Sequence, residues 1–132
     1  MITARNIHDW MWQAGFLDKA LRDFRDALKS GAILGIEEHR ADPRPMTPEA
    51  RDGYVATSFV IAKARAAGFR LDASSEINAN PKDTKDYPFG VWTLPPTRRT
   101  HRAGVATPPD FDPAKYVSIG ESDRMTLRFR RI

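Results

Sequence analysis

The stretch FLDKALRDFRDALKSGAILGIEEHR, residues 16–40, decides the fold class. Leu17, Ala20, Leu21, Phe24 and Leu28 recur at steps of three and four, so they share one face of a helix. Asp18, Arg22 and Asp26 follow at four-residue intervals on the other side and give it modest ion-pair support. Ser30-Gly31 closes the helix, Gly31 being suited to a left-handed C-cap. The run Ala32-Ile33-Leu34-Gly35-Ile36 is apolar throughout and too short for a helix. Such runs suit a parallel strand covered on both faces. It ends in Glu37-Glu38-His39-Arg40, which places acids, an imidazole and a guanidinium where α/β proteins hold ligands. The expectation is an αβ unit of a doubly wound sheet.

Upstream, Met1–Ala4 reads as the last part of a strand, followed by the polar cluster Arg5-Asn6-Ile7-His8-Asp9-Trp10. Trp10, Met11, Trp12 and Phe16 form the loop and helix entry that pack on the sheet. Downstream, residues 41–49 are a proline-punctuated connection. Thr47-Pro48 then starts a second helix, a hydroxyl N-cap with proline at the first helical position. Its stripe is Val55, Phe59, Ala62 and Ala66, and it ends at Gly68. Phe69 to Ile77 reads as a strand in which Phe69, Leu71 and Ala73 alternate with Arg70, Asp72 and Ser74.

From Asn78 to Pro113 regular structure is scarce, and seven of the ten prolines fall there. Loops of this length are functional or disordered. Residues 78–96 hold Tyr87, Phe89, Val91, Trp92 and Leu94, enough apolar mass to dock on the body. Residues 97–110 hold almost none and are expected to be mobile. Val117–Ile119 reads as a short paired strand and Gly120-Glu121-Ser122-Asp123 as a turn. Met125, Leu127 and Phe129 then alternate with Arg124, Thr126, Arg128 and Arg130, the pattern of a strand with one wet face.

The totals bound the rest. With 132 residues, 41% apolar and 29% charged, one domain with a small core is expected. No apolar run approaches the roughly 20 residues of a membrane helix, so no membrane partner is expected. Cysteine is absent, which excludes disulfides, thiolate nucleophiles and cysteine zinc sites. The net charge is +4, and fifteen of the 21 basic residues are arginine, densest at 98–102 and 128–131. A basic surface is favoured over a nucleic-acid face, which would need binding that weakens steeply with salt.

The order strand, helix, strand, helix, strand, long excursion, antiparallel strand resembles the C-terminal half of the class I, Rossmann-like S-adenosylmethionine-dependent methyltransferases. Leu28-Lys29-Ser30-Gly31-Ala32-Ile33-Leu34 resembles the junction leading into their fifth strand. Within that superfamily the chain resembles a bacterial group of predicted methyltransferases. That resemblance rests on residues 5–10, 35–40, 75–86, 90–96 and 120–125, the Asn80-Pro81-Lys82-Asp83-Thr84 segment being the most specific. It implies an α/β fold, a partial doubly wound sheet, mostly parallel with an antiparallel C-terminal strand. It also implies methyl transfer to a small-molecule acceptor, with S-adenosylmethionine as cofactor in the intact family. The eight glycines include no G-x-G, and no strand precedes Met1 to carry a donor-binding turn. The expectation is therefore a truncated fragment, inactive alone, that binds no donor by itself and pairs as a homodimer or with a complementary N-terminal half. A non-catalytic interaction domain is the rival reading.

Candidate site residues follow. His8, Asn6 and Glu38 are the candidates for acceptor positioning, His8 also for general base, since an imidazole titrates near neutrality. Arg5, Trp10 and His39 stand beside them as substrate-binding candidates. Against this, Asn6 and His8 could simply satisfy loop backbone while Trp10 packs. Glu38 and His39 cannot complete a metal shell alone, so no metal is expected and salt-bridging at the sheet edge is favoured. Asn78, Asn80, Lys82 and Asp83 lie in a loop that either closes as a lid over substrate or bonds its own backbone.

Overall fold

The computed structural model describes residues 1–132. In chain order the elements are β1 (Ile2–Ala4), α1 (Ile7–Trp10), α2 (Phe16–Ala27), β2 (Ile33–Ala41), β3 (Val55–Ala56), α3 (Thr57–Ala66), β4 (Phe69–Ser75), a 3₁₀ turn (Gly90–Thr93), α4 (Ala114–Val117) and β5 (Arg124–Arg131). The main sheet runs β1-β2-β5-β4, with β3 adding a two-residue parallel ladder to the end of β2.

This corrects the expected mostly parallel, doubly wound sheet. β1 and β2 are parallel, but β2–β5 and β5–β4 are antiparallel. β1, β2 and β4 point the same way, as the two helical crossovers require. β5 slides between β2 and β4, so it replaces what would have been a parallel neighbour with two antiparallel ones. The strands advance across the sheet without reversing, so α2 and α3 fall on the same face and share one core.

That core joins Leu34 and Ile36 of β2, Leu127 and Phe129 of β5 and Phe69 of β4 to Leu17 and Leu21 of α2 and Val60 and Ala64 of α3. Leu34 faces Phe129 and Ile36 faces Leu127 across the β2–β5 ladder, so the period-two patterns of both strands meet in register. The opposite face is polar: Asp72 holds Arg128 at 2.9 Å and Arg130 at 3.2 Å. β1 is paired on one side only, and Ile2 on it is 82% exposed.

Three local readings also change. β2 continues to Ala41, so Glu37–Arg40 lie inside the strand and alternate faces instead of forming a tip. The second helix begins at Thr57, and Val60 and Ala64 form its buried stripe. The residues before it are taken up otherwise: Gly53, at φ +80°, turns the chain, and Val55–Ala56 then run extended beside Arg40–Ala41 of β2. Residues 114–117 form one helical turn, not a strand.

Gly90 is the tightest point of the 78–96 excursion. Val91 N–H donates to Asp52 O at 2.9 Å, and a Cβ on Gly90, at φ +61°, would lie 2.6 Å from that oxygen and 2.8 Å from Asp52 Cα. Gly90→Ala is expected to destabilise the fold by about 2–4 kcal/mol, combining left-handed strain with a backbone clash. Urea unfolding measures it, and a loss under about 1 kcal/mol would show that the two segments separate easily.

Candidate functional site

The site forms where β1 and β2 end and β5 begins. After Ala4 the chain turns through Arg5, a non-glycine residue at φ +54°, whose N–H donates to Glu37 O at 2.8 Å. That turn launches α1 and brings His8 against β2. Glu38 lies on the core face of β2, in step with Leu34 and Ile36, and is 0% exposed. A buried carboxylate needs donors, and Glu38 has three. His8 Nδ1 lies 2.8 Å from Oε1, His8 N–H donates to Oε2 at 3.2 Å, and His39 N–H donates to Oε1 at 2.8 Å.

With Nδ1 committed to Glu38, neutral His8 keeps its proton there and its lone pair on Nε2. Nε2 lies 3.5 Å from Oδ1 of the exposed Asp9. His39 presents its ring 5.1 Å from that of His8, and its Nδ1 lies 2.5 Å from Ser122 Oγ in the turn before β5. The indole of Trp92, carried by the 3₁₀ turn, meets His8 edge-on at 5.9 Å. Together with Arg5, Arg124 and Pro95-Pro96-Thr97 these groups wall a cleft of about 360 Å³. A larger groove of about 420 Å³ on the helical side is lined by Trp10, Trp12, Met46 and Phe59. Its charged groups are already paired, Asp18 with Lys63 at 2.8 Å and Glu49 with Arg51 at 2.8 Å, so it offers little convergent chemistry.

The two imidazoles are tuned in opposite directions. Burial works to lower the His8 pKa, but the hydrogen bond and charge of Glu38, with help from Asp9, outweigh it and the pKa is raised. His39 has no acid to compensate. Burial first, then the positive charges of His8, Arg124 and Arg5, push it down to about 3. One ring is held for protonation and its neighbour is held neutral, the separation expected where acid–base roles are divided.

Because its folded pKa is raised, His8 contributes stability that is complete below its unfolded pKa and is lost as pH rises through the folded value. His39 is depressed, so its cost is absent above its unfolded pKa and grows as pH falls. As pH falls below about 6.5 the loss through His39 is expected to steepen, approaching about 1.4 kcal/mol per pH unit near pH 5. His39→Gln should flatten that slope, as read by urea unfolding at a series of pH values. An equal slope in the variant would remove His39 as the cause.

His8, Glu38 and His39 place candidate ligand atoms within 4.8 Å of one another. The Glu38 oxygens are already occupied by three N–H donors, and Arg5 and Arg124 bring positive charge to His39. The chemistry of the trio is that of a proton-handling network, not of a cation cage.

Of the residues expected from sequence, Arg5, His8, Glu38 and His39 come together. Asn6 donates from Nδ2 to Thr3 Oγ1 at 2.9 Å and Trp10 packs on Phe24 and Phe16, both away from the cleft. Asn78 donates to Thr126 Oγ1, and Asn80 donates to the carbonyls of Ile119 and Glu121 at 2.7 Å. Asp83 accepts from Tyr54 OH and from Asp123 N–H, while Lys82 is exposed and its N–H donates to Asn80 Oδ1. This loop holds the 120–123 turn in place, assisted by Arg40 on Asp123 at 2.8 Å. Ser122, Arg124, Asp9 and Trp92 line the cleft without having been selected from sequence. Ser122 lies 83 residues from His39, and no local spacing signals that meeting.

Compared with solved structures, the chain aligns with the crystal structure of the [4+2]-cyclase SpnF at a TM-score of 0.56 and 17% identity. The chain shares the fold of about half of SpnF. The alignment covers 98% of this chain and 49% of that one, so the chain spans about half the length of SpnF. No protein-family profile and no curated protein matches the sequence. The resemblance to the C-terminal half of a class I methyltransferase is corrected accordingly. The structural likeness is to a [4+2]-cyclase, at an identity that shows fold alone, and no family profile assigns the chain to the methyltransferases.

Proposed function

We propose that the cleft binds a small polar acceptor and that His8 takes a proton from it, as the acceptor side of a small-molecule group-transfer enzyme. Methyl transfer is the reaction favoured by the sequence reading. The observation that carries the proposal is the buried His8–Glu38 pair at 2.8 Å, which orients the ring and leaves Nε2 as the basic atom. Arg5, Trp92 and Ser122 around it would position the acceptor.

The residues present do not fit S-adenosylmethionine. No glycine-rich turn follows β1 or β2: Arg5-Asn6 follows the first and Asp42-Pro43 the second. Calorimetry with S-adenosylhomocysteine is therefore expected to give no binding heat with this chain.

Long-range nitrogen NMR tests the base. Above its pKa, His8 should show the Nδ1–H tautomer, and phenol, a weakly acidic probe, should shift Nε2 saturably. An Nε2–H tautomer, or no response to phenol, refutes the assignment.

A further inference from the structure

The charges that line the cleft are unevenly paired. Arg124 is neutralised twice, by Glu37 at 2.9 Å and Glu121 at 3.0 Å. Arg5 is left with Glu37 at 3.9 Å, beyond hydrogen-bond reach, and its side chain is 42% exposed. Outside the lining, Arg99 and Arg102 lie over the Trp92 ring at 5.4 and 5.9 Å and pair with no carboxylate, Arg102 Nη1 donating to Arg51 O at 3.3 Å. Asp9, the remaining acid of the cleft, is the neighbour of His8. Among the groups lining the cleft, Arg5 is thus the guanidinium without a hydrogen-bonded acid.

Arg5 is also the residue held in the left-handed conformation at the strand end, a strained position that its backbone bond to Glu37 maintains. The strain fixes where a forked donor leaves the sheet. A guanidinium fork matches the geometry of an oxyanion and can donate two parallel bonds to it. The remaining wall is polar and the volume is at the small end for organic ligands.

We propose that the ligand of this cleft carries an oxyanion, a carboxylate or a phosphate, which Arg5 binds directly while Arg99 and Arg102, stacked on Trp92, add longer-range positive charge. This rests on reading the cleft as the acceptor site, and it names the chemical class of that acceptor. An anion beside His8 also favours the protonated imidazole that follows proton transfer, so binding and chemistry reinforce each other.

The test titrates benzoate and inorganic phosphate, with benzamide as the uncharged control, into the full 132-residue chain. The Arg5 Nε–H and His8 ring resonances are followed. At least one anion should bind saturably where benzamide does not. Benzoate alone identifies a carboxylate ligand, phosphate alone a phosphate, and both a general oxyanion site. Arg5→Gln should weaken that binding about tenfold or more, with Arg5→Lys restoring part of it. Arg22→Gln, on the outer face of α2, should leave it unchanged. Equal binding of benzamide, no binding of either anion, or an unaffected Arg5→Gln variant overturns the proposal and leaves the His8 assignment standing. Binding that moves Arg5 but not His8 keeps the oxyanion site and overturns the acceptor reading.

Discussion

Glu38→Leu is expected to cost about 3–5 kcal/mol of folding stability, because it strands groups that have no other partner. The His8 amide and ring and the His39 amide all donate to this one carboxylate, at 0% exposure. Leucine fills the volume but accepts nothing. The same change should reverse the His8 titration. With the hydrogen bond and charge of Glu38 gone, burial acts almost unopposed and the pKa moves from raised to lowered. Glu38→Gln keeps one acceptor oxygen and should fall between the two. Urea unfolding near neutral pH and an NMR titration of His8 give both numbers. A loss under about 1 kcal/mol, or an unmoved titration, would show that Glu38 neither anchors nor tunes the site.

Phe129→Ala should be comparably damaging, at about 3–5 kcal/mol, for a different reason. Phe129 is 0% exposed in β5 and faces Leu34 of β2 on one side and Leu71 of β4 on the other. Its ring therefore fills the seam on which both antiparallel ladders close, and alanine leaves a cavity that flanking strands cannot collapse into without shifting register. The contrast is the preceding residue. Arg128 points to the polar face and holds Asp72 at 2.9 Å through an exposed ion pair. Arg128→Ala should change stability by no more than about 0.5–1 kcal/mol. Parallel denaturation curves of the two variants decide the matter. Similar losses would mean that the faces of β5 are assigned wrongly.

How much of this was legible in the residues depends on the range over which each signal acts. The α2 stripe and the alternation of Met125, Leu127 and Phe129 are local patterns, and each became the expected element. The helix, however, stops at Ala27 with Leu28 as its C-cap, and Gly31, at φ +78°, serves the turn into β2 instead. Strand neighbours are not local. Nothing between Ser75 and Arg124 states that the last strand inserts beside β2, and that insertion changed a parallel sheet into a mixed one. The helix expected from Thr47 failed because a good N-cap was read without the pairing of Val55–Ala56 with β2, a meeting of distant segments.

The site shows the same division. Arg5, His8, Glu38 and His39 stood out because polar groups flanking an apolar strand are visible in one window. Ser122, Arg124 and Trp92 join them only after the chain has folded back through the 78–123 excursion. Asn80 and Asp83 looked chemically rich for a structural reason. A loop with few backbone partners of its own needs amides and carboxylates to satisfy itself and the turn it supports.

The pairing of β5 also fixes where the chain's two ends emerge. The Met1 amino group donates to Ile33 O, and Ile132 N–H donates to Gly68 O, so both ends leave the sheet at the edge from which β2 and β4 set out. Arg5, His39 and Arg124 gather at the far edge. Polypeptide joined to either terminus, whether a tag, a fused module or a tether to a surface, can therefore be accommodated without crowding the cleft.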